Sequence, residues 1–445
     1  MFKDGPRIGR RWAPHFTPLT LLAAAGLAAG LAAGTAAAQP ATGQPDAPYP
    51  EATPRVLIDR TLAPRPVRLV SISDSKVDLI DDAGHTLSLD RSQVLALVPP
   101  LTQLDLPVTE ERAPLSTIPE ADRGKPLGRL DLVDGQSLPG NLGKPGPAPK
   151  ADGIAWEGKL FGAFSVPLDV VSSLLLLPEQ SALMPAGVPS EDTVILVNGD
   201  HAEGFVSSVN DTVTVEVKGK PSLLPTSRVV GIALANPLKP AEGAWVWLYD
   251  GTAAAVSQLT VDSAGHVTLA ARLNTKGPQP AATMDANDLR AVCFDAGVIR
   301  PLAASPHTEH ESPATWPGTR HWTPPLNIAD AHNAPLGAAD IEIPGPMVVE
   351  WTLPPGAARL GTTAQMPPSA RVWGDCELIV ESVSGSKTTQ LAKARLSGSD
   401  PSAEINVELN GATKLRMTID PGPSGPIQDR VVLRRPLVLM NAKAK

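Results

Sequence analysis

From residue 55 to about 296, one pattern of apolar and polar positions recurs four times. The clearest copy is the third. Thr193-Val194-Ile195-Leu196-Val197 reads as a strand, and Asn198-Gly199 supplies the positive φ angles of a tight hairpin turn. Gly204-Phe205-Val206 resumes the strand, and Asn210-Asp211 turns again. Thr212 to Val217 alternates apolar and polar, the period of a half-buried strand. Leu223-Leu224-Pro225 and Arg228-Val229-Val230-Gly231-Ile232 close the unit. The second copy runs from Leu130-Asp131-Leu132-Val133 through Asp134-Gly135 and Gly140 to Val170-Val171. The fourth runs from Trp245-Val246-Trp247-Leu248-Tyr249 through Asp250-Gly251 to Leu289–Val292. A degenerate first copy keeps Val67-Arg68-Leu69-Val70, Lys76–Ile80, Thr86–Leu89 and Val94–Leu97. The expected units cover 55–100, 127–180, 191–237 and 243–296, each of five short strands. Closing such a sheet into a small barrel removes its exposed edges.

Beyond a Pro/His/Thr/Ser-rich stretch, expected as a linker over 297–321, the pattern changes. Met347–Leu353, Cys376–Glu381, Ala403–Leu409, Leu415–Ile419 and Arg430–Met440 read as strands. Pro354-Pro355-Gly356, Ser384-Gly385-Ser386 and Asn410-Gly411 stand as turns between them. The expected fold class is all-β: tandem small five-stranded barrels followed by a β-sandwich or jelly roll over 322–445.

Two resemblances follow. The order of strand, Asp/Asn-Gly turn, Gly-containing strand, alternating strand and a closing segment such as Leu224-Pro225-Thr226-Ser227-Arg228-Val229 or Leu89-Asp90-Arg91-Ser92-Gln93-Val94 resembles Sm-like and SH3-like small barrels. The last domain resembles carbohydrate-binding modules of the NPCBM/NEW2 type, which are galactose-binding-like jelly rolls. Val349-Glu350-Trp351-Thr352-Leu353-Pro354, Asp375-Cys376-Glu377-Leu378-Ile379-Val380, Ile405–Met417 and Pro436-Leu437-Val438 carry that likeness. Where the family closes with Asp-Trp near a Pro, this chain has Val432-Leu433-Arg434-Arg435-Pro436. The resemblance implies a carbohydrate or another envelope polymer as ligand.

Composition and the N-terminus set the compartment. Lys3, Arg7, Arg10 and Arg11 precede an uncharged run from Leu19 to Ala38 that ends in Ala36-Ala37-Ala38. This is the grammar of a secretory signal peptide, expected over 1–38 and followed by a Pro/Ala/Gly-rich tether over 39–54. An uncleaved membrane anchor is the other reading of Leu19–Ala38. Cleavage removes those four basic side chains and Asp4, which moves the formal charge from −8 to −11. A chain this acidic repels nucleic acid, so the RNA-binding role of Sm proteins is not expected. The chain's 48 prolines exclude long helical bundles.

The chemistry-bearing residues are few. No Gly-x-Ser-x-Gly, Gly-x4-Gly-Lys-Ser/Thr, Gly-x-Gly-x-x-Gly or His-Glu-x-x-His sequence is present. Two cysteines, Cys293 and Cys376, either pair in an oxidising compartment or stay as two separate buried thiols. His307, Glu309, His310, His321 and His332 form either a metal-binding cluster or a solvated linker. Neighbouring carboxylates such as Asp81-Asp82 and Glu110-Glu111 are charged turn residues, because glycosidase carboxyls must face each other across a cleft. Trp245, Trp247 and Tyr249 share one strand face, either as core or as an exposed stacking surface. Arg359, Arg371 and the Arg434-Arg435 pair suit acidic sugars or simply solvent. Trp351, Trp373, Asp375, Arg371 and Asp429 are the candidate ligand contacts, with no catalytic residue, cofactor or metal expected. Together these readings predict an exported, non-catalytic binding protein. An envelope assembly protein that contacts protein partners through its barrels is the second reading, and a hydrolase the third.

Overall fold

Tight Asp/Asn-Gly turns set the local architecture. Gly135, Gly199 and Gly251 all take positive φ (92°, 83° and 91°), which a side chain rarely tolerates. The computed structural model describes residues 53–101, 127–143, 153–185, 187–273, 279–311, 324–331, 334–422 and 425–441. The expected signal peptide, most of the tether, His321 and His332 lie outside the described residues. Pro48–Lys445 forms one compact unit.

The described residues are all-β, as expected, with only short 3-10 turns between strands. The first five-stranded unit holds β1 (Pro54–Asp59), β2 (Pro64–Ile72), β3 (Lys76–Asp81), β4 (Thr86–Asp90) and β5 (Val94–Val98). Its spatial order is β4-β3-β2-β1-β5, antiparallel throughout. The second unit repeats that order with β6 (Gly128–Leu132), β7 (Ser137–Leu142), β8 (Gly153–Gly158), β9 (Gly162–Pro167) and β10 (Val171–Leu175). The third contains β11 (Thr193–Leu196), β12 (His201–Glu203), β13 (Phe205–Val209), β14 (Thr212–Val217), β15 (Lys220–Pro225) and β16 (Val229–Ala233). Here β12 and β13 are one strand broken at Gly204, where a Cβ would collide with the Glu216 carbonyl. The fourth contains β17 (Ala244–Leu248), β18 (Ala253–Val261), β19 (His266–Ala271), β20 (Ala281–Asp285) and β21 (Leu289–Cys293).

The units are joined edge to edge. In each, the last strand leaves one edge free, and those edges pair with one another: β5 with β21, and β10 with β16. Both seams are antiparallel and share one register. Counting from the first residue of each last strand, the fourth residues face each other, Leu97 with Val292 and Leu174 with Ile232. The third faces the fifth, Ala96 with Cys293 and Ser173 with Ala233. Two copies meeting through the same patch is the geometry of an isologous, two-fold contact. The sequences fit this role: Val94-Leu95-Ala96-Leu97-Val98 and Val229-Val230-Gly231-Ile232-Ala233 are buried at every position. A strand covered on both faces reads as a continuous apolar run. Gln136, 1% exposed, links the second unit to the fourth. Its Oε1 accepts the Ala255 N–H at 3.0 Å and its Nε2 donates to the Arg272 carbonyl at 3.3 Å.

The C-terminal part is a sandwich of two antiparallel sheets. It begins earlier than the sequence suggests. Residues 297–321, expected as a linker, contain β22 (Ile299–Pro301) and β23 (His307–Glu311). The remaining strands are β24 (Asn327–Ile328), β25 (Ile341–Pro344), β26 (Met347–Thr352), β27 (Ala357–Gln365), β28 (Asp375–Ser384), β29 (Lys387–Ser397), β30 (Ser402–Glu408), β31 (Lys414–Pro421) and β32 (Arg430–Met440). One sheet runs β24-β25-β32-β27-β30, with β22 on the second half of β32; the other runs β23-β26-β31-β28-β29. The linker expectation fails because β22 and β23 are held by backbone pairing to β32 and β26, which needs no apolar alternation. Trp351, Met417, Leu378, Leu360 and Leu433 fill the space between the sheets.

A third buried cluster fuses this sandwich to the first and fourth units. It gathers Ile58, Leu62 and Ala96, then Trp245, Trp247 and Cys293, then Leu336, Leu437 and Leu439. Trp245 and Trp247 are therefore core, 3% and 9% exposed, with ring centroids 5.9 Å apart. The two cysteines are free and buried. Burial pushes both thiols up to about 12.

Candidate loop-end site of the sandwich

Three connections meet at one end of the sandwich. The β27–β28 loop (366–374) is made rigid by Pro367 and Pro368 and by one 3-10 turn, Pro368–Ala370. Gly374 packs so closely on the carbonyls of Ala370 and Gln428 that a Cβ there would lie 2.7 Å and 2.9 Å from them. That contact ties the loop to the β31–β32 connection, which carries Ile427. Gly398, between β29 and β30, packs on the carbonyl of Arg371.

The convergence lifts apolar side chains into solvent. Trp373 is 65% exposed, Val372 73% and Ile427 53%. They are among the most exposed large apolar groups of the described residues, and they fall within one segment and its packed neighbour. Arg371 is half-buried, and its Nε donates to the Met366 carbonyl at 3.2 Å. Asp375 stands at the loop's exit, where Arg395 clasps it with two 2.8 Å hydrogen bonds. That guanidinium holds the Asp375 carboxyl below its ordinary range.

Asp429 lies beneath this surface and is 2% exposed. Its Oδ1 accepts the Asp375 N–H at 3.2 Å, its carbonyl accepts the Gly345 N–H at 2.6 Å, and its Oδ2 is buried without a hydrogen-bond partner. Burial, then the charges of Asp375 and Asp420, push its carboxyl from 3.8 up to about 7, against the lowering pull of the Asp375 N–H. Asp429 thus braces the loops and does not reach a ligand, a correction to its expected role. Trp351 is corrected as well. It is 0% exposed, set in the core with its ring tilted 44° to that of His307, 6.4 Å between centroids. Of the five expected contacts, Trp373, Arg371 and Asp375 stand at the site, Asp429 supports it, and Trp351 belongs to the core. Ile427 and Val372 were missed; isolated aliphatic residues in Pro/Gly-rich loops carry no pattern that separates exposure from burial.

Of the His/Glu stretch, His307–Glu311 is strand, not linker. His307–Glu311 pairs with Met347–Trp351, and Glu309 Oε2 accepts the Leu326 N–H at 3.1 Å. Among the described residues, no three His, Cys, Asp or Glu side chains converge as a metal site would require.

The described residues are all-β and end in a sandwich whose loops present a tryptophan, two aliphatic groups and a guanidinium. No protein-family model matches the chain, and no curated protein matches it. Several solved structures are similar at low level. The CBM51-2 and INT domains of Clostridium perfringens ZmpB share 9% identity over 40% of this chain and 38% of that one, with a TM-score of 0.26. Tandem CBM51 modules of a family 98 glycoside hydrolase from Streptococcus pneumoniae share 8% over 56% and 88%, with a TM-score of 0.24. A CBM51 from Clostridium perfringens GH95 in complex with methyl-galactose shares 10% over 22% and 69%, with a TM-score of 0.20. The chain spans 38% of the length of the first of these. At such TM-scores these likenesses carry no weight for the ligand of this chain.

Proposed function

We propose that this protein is an exported, non-catalytic binding protein that takes a carbohydrate or another envelope polymer at the loop end of its sandwich. Trp373 carries the reading: a large aromatic, 65% exposed, on a loop held from below by Asp429 and Gly374. A sugar ring offers an apolar C–H face that an indole covers, while its hydroxyls need charged or amide partners at the rim. Arg371 on the same connection, and Asp375 at its exit paired with Arg395 of β29, supply those partners. A braced loop loses little conformational freedom on binding, which favours affinity from a small surface. Export rests on the Leu19–Ala38 segment and its basic flank.

The test is retention of the full mature chain on insoluble cell-envelope polysaccharides and on a glycan array, beside Trp373→Ala. Retention that the substitution abolishes supports the reading. Absence of retention on every polymer, or retention indifferent to Trp373, removes it.

A further inference from the structure

A cavity of about 370 Å³ lies where the first five-stranded unit meets the sandwich, and no residue of the 366–374 loop is in its lining. That volume falls within the roughly 300–1,000 Å³ of small-ligand sites. Its two walls differ in chemistry. The wall from β1, β2 and their turn is aliphatic, formed by Val56, Ile58 and Leu62 with Pro64 and Pro66. The opposite wall, from β27, β30 and β32, carries Arg434, Arg435, Gln365 and Glu404.

A distortion of β32 brings both arginines to this wall. In a regular strand, successive side chains point to opposite faces. Between Thr363↔Arg434 and Gly361↔Leu437, β27 advances two residues while β32 advances three, so β32 carries one extra residue. Arg435 takes φ 47° at that bulge. Such bulges re-aim side chains and cluster beside functional sites. Arg434 is 6% exposed and fixed by Asp340 at 2.7 Å and by Gln365 Oε1 at 3.0 Å. The Arg435 N–H donates to the second Asp340 oxygen at 2.9 Å, and its guanidinium reaches the Pro99 carbonyl at 2.9 Å.

The geometry points to a binding site for an amphiphilic anion: an alkyl or acyl chain that ends in a carboxylate. Among the described residues no aromatic ring lines the cavity, so these walls lack the stacking face a sugar takes. Its aliphatic wall suits a hydrocarbon chain, and planar guanidinium groups match a carboxylate. Glu404, on the exposed side of the polar wall, opposes an anion and tunes its affinity. This site is separate from the proposed polymer surface and stands whether or not that reading does.

Calorimetric titration of the full mature chain tests it, with decanoate below its micelle concentration as the probe and decanol as the uncharged control. The expected result is saturable one-to-one binding of decanoate. Decanol, and decanoate with Arg435→Gln, bind about tenfold more weakly, the scale of one charged hydrogen-bonded pair. Glu404→Gln binds decanoate more tightly, and Trp373→Ala leaves it unchanged. If Arg435→Gln does not fold, the Glu404→Gln and decanol comparisons decide. Absence of saturable decanoate binding overturns the site. Equal affinity for decanol and decanoate overturns its anion recognition, and so does a Glu404→Gln that binds no more tightly.

Discussion

Leu62 is seated directly on Gly361. A Cβ built on that glycine would lie 2.5 Å from the Leu62 Cβ, closer than any side chain allows. The glycine belongs to β27 of the sandwich and the leucine to the β1–β2 turn of the first unit, so one missing methyl group sets how closely the two parts approach. Beside it, Asn406 Nδ2 donates to the Thr61 carbonyl at 2.6 Å. Gly361→Val is expected to push the turn off the sheet and cost about 1–3 kcal/mol, the range of overpacked cores. Thermal unfolding by calorimetry checks it; an unchanged Tm would show that the contact is slack.

Trp373 and Trp351 should separate cleanly by substitution. Trp373→Ala removes a solvent-facing ring and should leave stability within about 0.5 kcal/mol while abolishing polymer retention. Trp351→Ala empties the centre of the sandwich and should cost about 3–5 kcal/mol. Paired denaturant titrations and pull-downs read both quantities, and a Trp373→Ala that unfolds readily would move this residue from surface to core.

Asp429 gives a pH dependence of fixed sign. Its carboxyl titrates near 3.8 when unfolded and near 7 when folded, so the native state binds more protons across that interval. Stability from this group is therefore greatest below about pH 4 and is lost as pH rises towards 7. Asp429→Asn keeps an acceptor for the Asp375 N–H and removes the buried charge. It should stabilise the chain above pH 7 by about 1–3 kcal/mol and flatten the stability profile below it. Unfolding midpoints measured from pH 4 to 8 test this, and a wild-type midpoint that rises with pH through this window, with no gain from the substitution, would contradict it.

Cys293 and Cys376 should resist thiol reagents in the folded protein. Each is buried and its thiol is pushed up to about 12, so little thiolate exists at pH 8. Chromogenic disulfide titration should count two thiols only after denaturation. Rapid native labelling of either would show that its cover opens.

The sequence made the repeats visible because their signals are local. Asn198-Gly199 and Asp250-Gly251 announce turns, Thr212–Val217 alternates, and Val94–Val98 is apolar at every position, the mark of a strand covered on both faces. What stayed hidden depends on partners distant in the chain. His307-Thr308-Glu309-His310-Glu311 shows no apolar alternation, yet its backbone pairs along β26. The loop-end site was half legible: Trp373, Arg371 and Asp375 stood out as candidate contacts. Whether Trp351 faced the core and whether Asp429 was covered depended on the loops above and the sheet opposite.

The matching registers of the two seams have a consequence for how this chain must assemble. Four last strands each offer an edge with the same hydrogen-bonding frame, and their side chains differ: Gly231 and Ser173 stand at the third position in one seam and Ala96 and Ala291 in the other, while the second position holds Val230, Ser172, Leu95 or Arg290. Each edge can in principle hydrogen-bond with the wrong sibling, or with the same edge of another molecule. Correct partner choice then rests on side-chain bulk and charge at a few positions of each edge, the third among them, and on which edges emerge and fold first. Enlarging Gly231 should therefore show itself first as misassembly and aggregation during refolding, before any loss of secondary structure within a unit.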